Sequence, residues 1–163
     1  GPPAVQFDAP PGRLQLRFNV ENAAGEILDS DVRDVTVPDY TEPGLLLSTP
    51  ALLRARTPRE LDALRSDPAA VPTAAREFRR TERVLIRFEA YAPGAQPISA
   101  TVRLLNRQGQ AMSELPTASG PAPGWFQAEL PLAGLAPGEY LIEVRAAAAA
   151  GDVKELVAIR LTG

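Results

Sequence analysis

The chain has 163 residues, 45% of them hydrophobic, with 17 prolines, 12 glycines and a formal net charge of -3. It contains no cysteine and no histidine, which excludes Ser-His-Asp triads, Cys-His dyads and the usual zinc ligand sets built from this chain alone. An acidic balance argues against a general grip on nucleic acid or anionic lipid, which needs a basic field, and no apolar run reaches the roughly 18 residues that a spanning helix needs.

This length fits one domain with a core. The many prolines and glycines cut the chain into short pieces, which favours short strands over long helices. Residues 1–12 read as a proline-rich lead-in, and Gly1 and Pro2 resemble the scar of a protease-cleaved tag. "RLQLRFNVE" (13–21) alternates Leu14, Leu16, Phe18 and Val20 with Arg13, Gln15, Arg17 and Asn19, the pattern of a half-buried strand. "NAAG" (22–25) turns, and "EILDSDVRDVTVP" (26–38) returns as a second strand. Its apolar phase changes between Val32 and Val35, which predicts a bulge near Arg33 and Asp34. A lone hairpin is marginal in water, so 13–163 is expected to be one domain; the alternative assigns 13–40 to a preceding domain and 41–163 to the sandwich.

"GLLLS" (44–48) is a short strand. "TPRELDAL" (57–64) carries a helix start: Thr57 as N-cap, Pro58 at the first helical position, Glu60 as capping-box partner, and Leu61 and Leu64 as the apolar stripe. Pro68 and Pro72 keep it short. From there the pattern is strand: 83–91 with Val84, Ile86, Phe88 and Ala90 inward, and 98–106 with Ile98, Ala100, Val102 and Leu104 inward. After the "NRQG" turn comes "QAMSELP", then "TASGPAPG" as a loop. Residues 125–132 turn Phe126, Ala128, Leu130 and Leu132 inward, 140–146 bury Tyr140, Ile142, Val144 and Ala146, and 153–161 close the chain. The count is about eight or nine strands, the spacing of a β-sandwich. Tyr140 follows a Pro-Gly turn and is either a plain core tyrosine or one whose hydroxyl reaches back to the main chain.

Candidate chemistry is sparse. Asp29 and Asp31 share a strand face near Asp34, but a calcium loop needs six to eight oxygens and a glycine hinge; a solvated face, or an edge protected from pairing, fits better. No spacing selects a carboxylate pair for glycosidase chemistry, a Ser or Thr with Lys154 as base is unsupported, and no phosphate-binding glycine loop occurs. Trp125 is the only tryptophan; outward it would be a contact residue, inward a lid on the sandwich, and the lid is favoured. From Arg76 to Arg87 lie five arginines, Arg76, Arg79, Arg80, Arg83 and Arg87, against Glu77 and Glu82, a net of about +3. No aromatic ladder accompanies them, as single-strand binders require. Local ion pairs beside a strand explain most of this stretch, with a protein-partner surface as the functional reading.

Three pieces in order, "VRDVTVPDY" (32–40), "PTAAREFRRTERVLIRFEAY" (72–91) with "ATVRLLNRQGQAM" (100–112), and "LPLAGLAPGEYLIEVRA" (130–146) with "ELVAIRLTG" (155–163), resemble the C-terminal region of the bacterial proteins called VWFA-related, found chiefly in Acidobacteria. The resemblance implies an exported parent, extracellular or periplasmic, with a von Willebrand factor A domain upstream. The DxSxS metal site of such a domain has no counterpart here, since "DSDVR" does not match it.

The expectation is therefore an all-β sandwich, immunoglobulin- or fibronectin-III-like, with one short helix. Its expected role is a non-enzymatic structural or protein-interaction module, without cofactor, metal or nucleic-acid partner. The candidate surface is Arg76, Arg79, Arg80, Arg83 and Trp125. A carbohydrate-binding module using Trp125, Tyr91 or Tyr40 is the alternative, and a carboxylate-only hydrolase ranks last.

Overall fold

The computed structural model describes residues 5–41 and 43–163; Gly1 and Pro2, read above as a tag scar, lie outside the described residues. The chain divides into two units, Gly1–Glu42 and Pro43–Gly163.

In the first unit, strands β1 (Gly12–Glu21) and β2 (Ile27–Val37) form an antiparallel hairpin. Asn22 closes it: its side-chain oxygen accepts from the N–H groups of Ala24 and Glu26 at 2.9 and 3.0 Å, and Gly25 takes the positive φ of 81° that the turn requires. Leu14, Leu16, Phe18 and Val20 do share a face, joined by Val35 and Val37 across the ladder. Within the hairpin itself nothing covers that face at its far end, where Phe18 is 51% and Val20 56% exposed. Nor is there a bulge near Arg33 and Asp34. The register runs unbroken from Gly12 opposite Val37 to Val20 opposite Asp29 and shifts only between Val20 and Glu21. Val32 sits opposite Arg17 on the other face, so the change of phase is one valine among polar neighbours and not an extra residue in the ladder.

The second unit is a sandwich of two five-stranded sheets. The first is built on β6 (Arg83–Tyr91), flanked on one side by β3 (Leu46–Leu47) and β4 (Ala51–Ala55) and on the other by β10 (Trp125–Pro131), then β9 (Thr117–Ser119). The second runs β5 (Glu77–Arg79), β12 (Gly151–Thr162), β11 (Gly138–Ala148), β7 (Ser99–Asn106), β8 (Ala111–Leu115). Every pairing is antiparallel except β5 with β12. The alternating residues behave as their period dictates: Val84, Ile86 and Phe88 meet Val102, Leu104, Ile142, Val144 and Ile159 in one core. The Tyr140 hydroxyl donates to the Ala136 carbonyl at 2.7 Å, so the second reading of that tyrosine holds. Three strands escaped the sequence pattern: β4, whose Leu52 and Leu53 are both buried, the three-residue β5, and the polar β9.

The helix α1 (Pro58–Ser66) begins as predicted. Thr57 accepts from the Glu60 N–H at 3.2 Å, and the Glu60 carboxylate reaches back to the Arg56 N–H at 2.6 Å, one residue before the usual capping-box donor. The helix is a cover for the outer face of β4 and β6. Leu61 and Leu64 pack there on Leu53, Ala55 and Leu85, a second apolar layer outside the sandwich. At this buried contact its C-terminal carbonyls have only long backbone donors, the Asp67 N–H to Leu64 and the Ala70 N–H to Asp67, both at 3.4 Å. Arg87, on the outer face of β6 and 5% exposed, supplies closer ones: its guanidinium donates to the carbonyls of Leu64 and Asp67 at 2.5 and 2.8 Å. A cation at a helix C-terminus also opposes the negative end of the helix dipole. Burial pushes the Arg87 pKa below the usual guanidinium range, and the nearby Asp67 carboxylate acts the other way. Among the described residues no helix is long and apolar enough to cross a membrane.

The Arg87→Met substitution keeps the stem and removes the donors. It is expected to cost about 2–3 kcal/mol in denaturant unfolding and to speed amide exchange over 59–66 while β11 and β12 stay protected. Unchanged exchange in the helix would show that Arg87 does not hold it.

Candidate functional site

The five predicted surface residues do not form one surface. Arg83 donates to the Glu129 carboxylate at 2.5 Å, and Arg65 of α1 donates to the same carboxylate at 2.6 Å. Arg80 donates to the Ala133 carbonyl at 2.9 Å. These two arginines tie the outer face of β10 and the loop after it to β6 and its lead-in. Arg76 folds over its own approach, donating to the Thr73 carbonyl at 2.9 Å. The Arg79 side chain is exposed, with no partner among the described residues.

Between Arg76 and Arg83 the chain passes from one sheet to the other. The Arg160 N–H donates to the Arg76 carbonyl at 2.8 Å, so the backbone groups of Glu77 and Arg79 point to the free edge of β5. Side chains occupy that edge. Arg54 donates to the Glu77 carbonyl at 2.6 Å, and the Glu82 carboxylate accepts from the Arg79 N–H at 2.8 Å. The Glu82 N–H returns to the Arg79 carbonyl at 3.0 Å. Glu82 is 8% exposed and faces the Arg54 guanidinium at 3.7 Å, which lies 4.8 Å over the buried Phe78 ring. A cation over a desolvated aromatic face is favourable, and it fixes Arg54 where the edge needs a donor.

Two recesses flank β5. One is a groove of about 410 Å³ on the outer face of the second sheet, floored by Leu141 and Ala158, with Arg76, Arg107 and Arg160 around it. Leu141 and Ala158 stand directly opposite on β11 and β12. Arg107 pairs with Glu139 at 3.3 Å and Arg160 with Glu77 at 3.9 Å. The other is a polar pocket of about 380 Å³ lined by Arg54, Arg56, Arg79, Glu77 and Glu82. Arg76 alone of the predicted residues enters the groove, and Arg79 alone enters the pocket. Arg107, Leu141, Ala158 and Arg160 come from distant parts of the chain; their outward phase is readable in the sequence, but their meeting is not.

Trp125 is not the expected lid. It stands opposite Glu89, out of phase with Phe126, on the outer face of β10, half-buried with the Arg87 guanidinium 5.6 Å over its ring. The inward position is filled by Phe126, stacked on Phe88 at 5.7 Å. A small recess of about 150 Å³ lies beside Trp125, Ser48 and Glu89. Tyr91 is 45% exposed and sits two residues beyond Glu89, on the same face. In the hairpin unit, the aspartates divide: Asp31 pairs with Arg33 at 2.6 Å, while Asp34 lies on the opposite face beside Gln15. The Thr41 hydroxyl and N–H hold the Asp39 carboxyl below the usual carboxylate range, a local turn apart from either recess.

The loop into β10 depends on one close approach. The Gly120 N–H donates to the Trp125 carbonyl at 2.7 Å, and a Cβ on Gly120 would lie 2.7 Å from the Trp125 Cβ. Gly120→Ala is therefore expected to destabilise by about 1–3 kcal/mol and to alter tryptophan fluorescence; an unchanged spectrum and midpoint would refute the contact. No protein-family model and no curated protein matches the chain.

Proposed function

We propose that the chain is a non-enzymatic protein-interaction module with an immunoglobulin-like sandwich, in an exported bacterial protein of the VWFA-related kind. Two features support the fold type. The order β3/β4-β6-β10-β9 facing β12-β11-β7 follows the ABED and GFC sheets of that fold, and Tyr140, at the start of the strand equivalent to F, bonds back to the main chain as a tyrosine corner does. The observation that carries the interaction reading is the groove over Leu141 and Ala158. It offers an apolar floor between arginine walls, a combination suited to an apolar partner segment that carries a carboxylate. Arg107 and Arg160 can exchange their exposed glutamate partners for such a group, because exposed ion pairs are worth little.

A carbohydrate-binding reading has one observation in its favour. Trp125 and Tyr91 are diagonal neighbours across β6 and β10 on one face, with Glu89 between them. One face of the Trp125 ring is already covered by Arg87, which leaves a smaller stacking platform and ranks this reading second.

Panning a random peptide library on the folded chain tests the order of the two. Selected peptides are expected to combine an apolar residue with Asp, Glu or a free C-terminus. Ala158→Trp, which fills the floor, and Leu141→Glu should each weaken them about tenfold. Enrichment of no peptide over an unrelated β-sandwich sinks the groove reading, as does binding untouched by both substitutions. A shift of Trp125 fluorescence by soluble cello- or chito-oligosaccharides would promote the second reading instead.

A further inference from the structure

The pocket on the other side of β5 has an electrostatic sign opposite to that of the chain. Three guanidiniums, those of Arg54, Arg56 and Arg79, face it with two carboxylates, those of Glu77 and Glu82, a local balance of +1 in a protein of net charge -3. The two acids are already engaged. Glu82 is held by the Arg79 N–H and by Arg54, and Glu77 stands beside Arg160. Arg54 is fixed by the Phe78 ring and the Glu77 carbonyl, and its buried Nε has no partner. Arg56 and Arg79 are exposed, and among the described residues neither side chain has a carboxylate partner.

One held guanidinium beside two with unused donors matches an oxyanion, whose paired oxygens fit the fork of Arg better than the point charge of Lys. We infer that this pocket is a binding site for a small oxyanion group, carboxylate or phosphate, held between Arg56 and Arg79 against the pre-placed Arg54. It does not depend on the groove: different side chains, apart from Glu77, line the two recesses, and the ligand here is polar where the groove's is apolar. The source of the oxyanion is either a free anion or an acidic side chain presented by a partner.

Titration of the full chain with inorganic phosphate and, separately, with an acetylated, amidated tetraglutamate peptide, followed by NMR at low salt, tests it. Saturable shifts are expected at Phe78, Arg79 and Thr162, weakening as ionic strength rises. Phosphate alone binding identifies a free-anion site; the peptide alone binding identifies a carboxylate site. Arg56→Ala and Arg79→Ala should each raise Kd about fivefold, Glu77→Gln should lower it about threefold, and Arg59→Ala, outside the pocket, should leave it unchanged. All four positions are exposed, so each variant is expected to keep the wild-type far-UV spectrum. The inference is overturned if neither probe gives saturable shifts, or if Arg59→Ala weakens binding as much as Arg79→Ala, which would mark a diffuse charge effect.

Discussion

The guanidinium of Arg87, held between two carbonyls at the end of a helix, decides the plan of the larger unit. A sandwich sheet ordinarily buries one face and wets the other. Here the strand that carries Arg87 buries both, Ile86 into the sandwich and Leu85 under the helix. The second burial needs the helix to lie flat, and a helix lying flat brings its last carbonyls, held by long backbone bonds only, against the sheet. A charged donor on the sheet reduces that penalty. A neutral apolar residue at the same place would pack as well and leave those carbonyls dry with only their long backbone bonds.

The same economy runs through the arginine-rich stretch. Its residues look alike in sequence and have separate structural tasks. Arg87 ends a helix, Arg83 shares Glu129 with a helix residue, and Arg80 fastens a loop. Arg76 and Arg79 flank the crossing between sheets, on either side of a buried phenylalanine. These last two line the groove and the pocket beside β5, so the binding proposed for the stretch falls at its start. Its structural content lies at its end.

Elements that satisfy their own local rules were legible in the sequence. The strand Arg83–Tyr91 repeats Val84, Ile86, Phe88 and Ala90 at every second position, and the helix carries Thr57, Pro58 and Glu60 where a start requires them. What was not legible depends on distant residues. Ala51–Ala55 is buried on both faces and so shows no period. Glu77–Arg79 is a strand only because Thr162 and its neighbours lie beside it in parallel. The alternation of β1 placed Leu14, Leu16, Phe18 and Val20 on one face, as observed, whereas the phase change from Val32 to Val35 read as a bulge only because a valine was not expected on the polar face. At the candidate sites, the arginines were visible but their partners were not: Leu64, Asp67, Glu129 and Ala133 are separated from them by 20 residues or more, and Arg107, Leu141 and Ala158 assemble only through the strand order.

The stoppered edge of β5 limits how this protein could associate. A sheet open at both ends can add copies without limit, each new strand offering the next an unpaired ladder. In the second sheet, Arg54 and Glu82 engage the Glu77 carbonyl and the Arg79 N–H, behind the three residues of β12, Arg160–Thr162, that β5 covers. Among the described residues the rest of β12 pairs with β11 alone, and β8 ends the sheet on the other side. One arginine and one glutamate thereby turn strand addition away from the crossing between the sheets and toward the two ends that stay open.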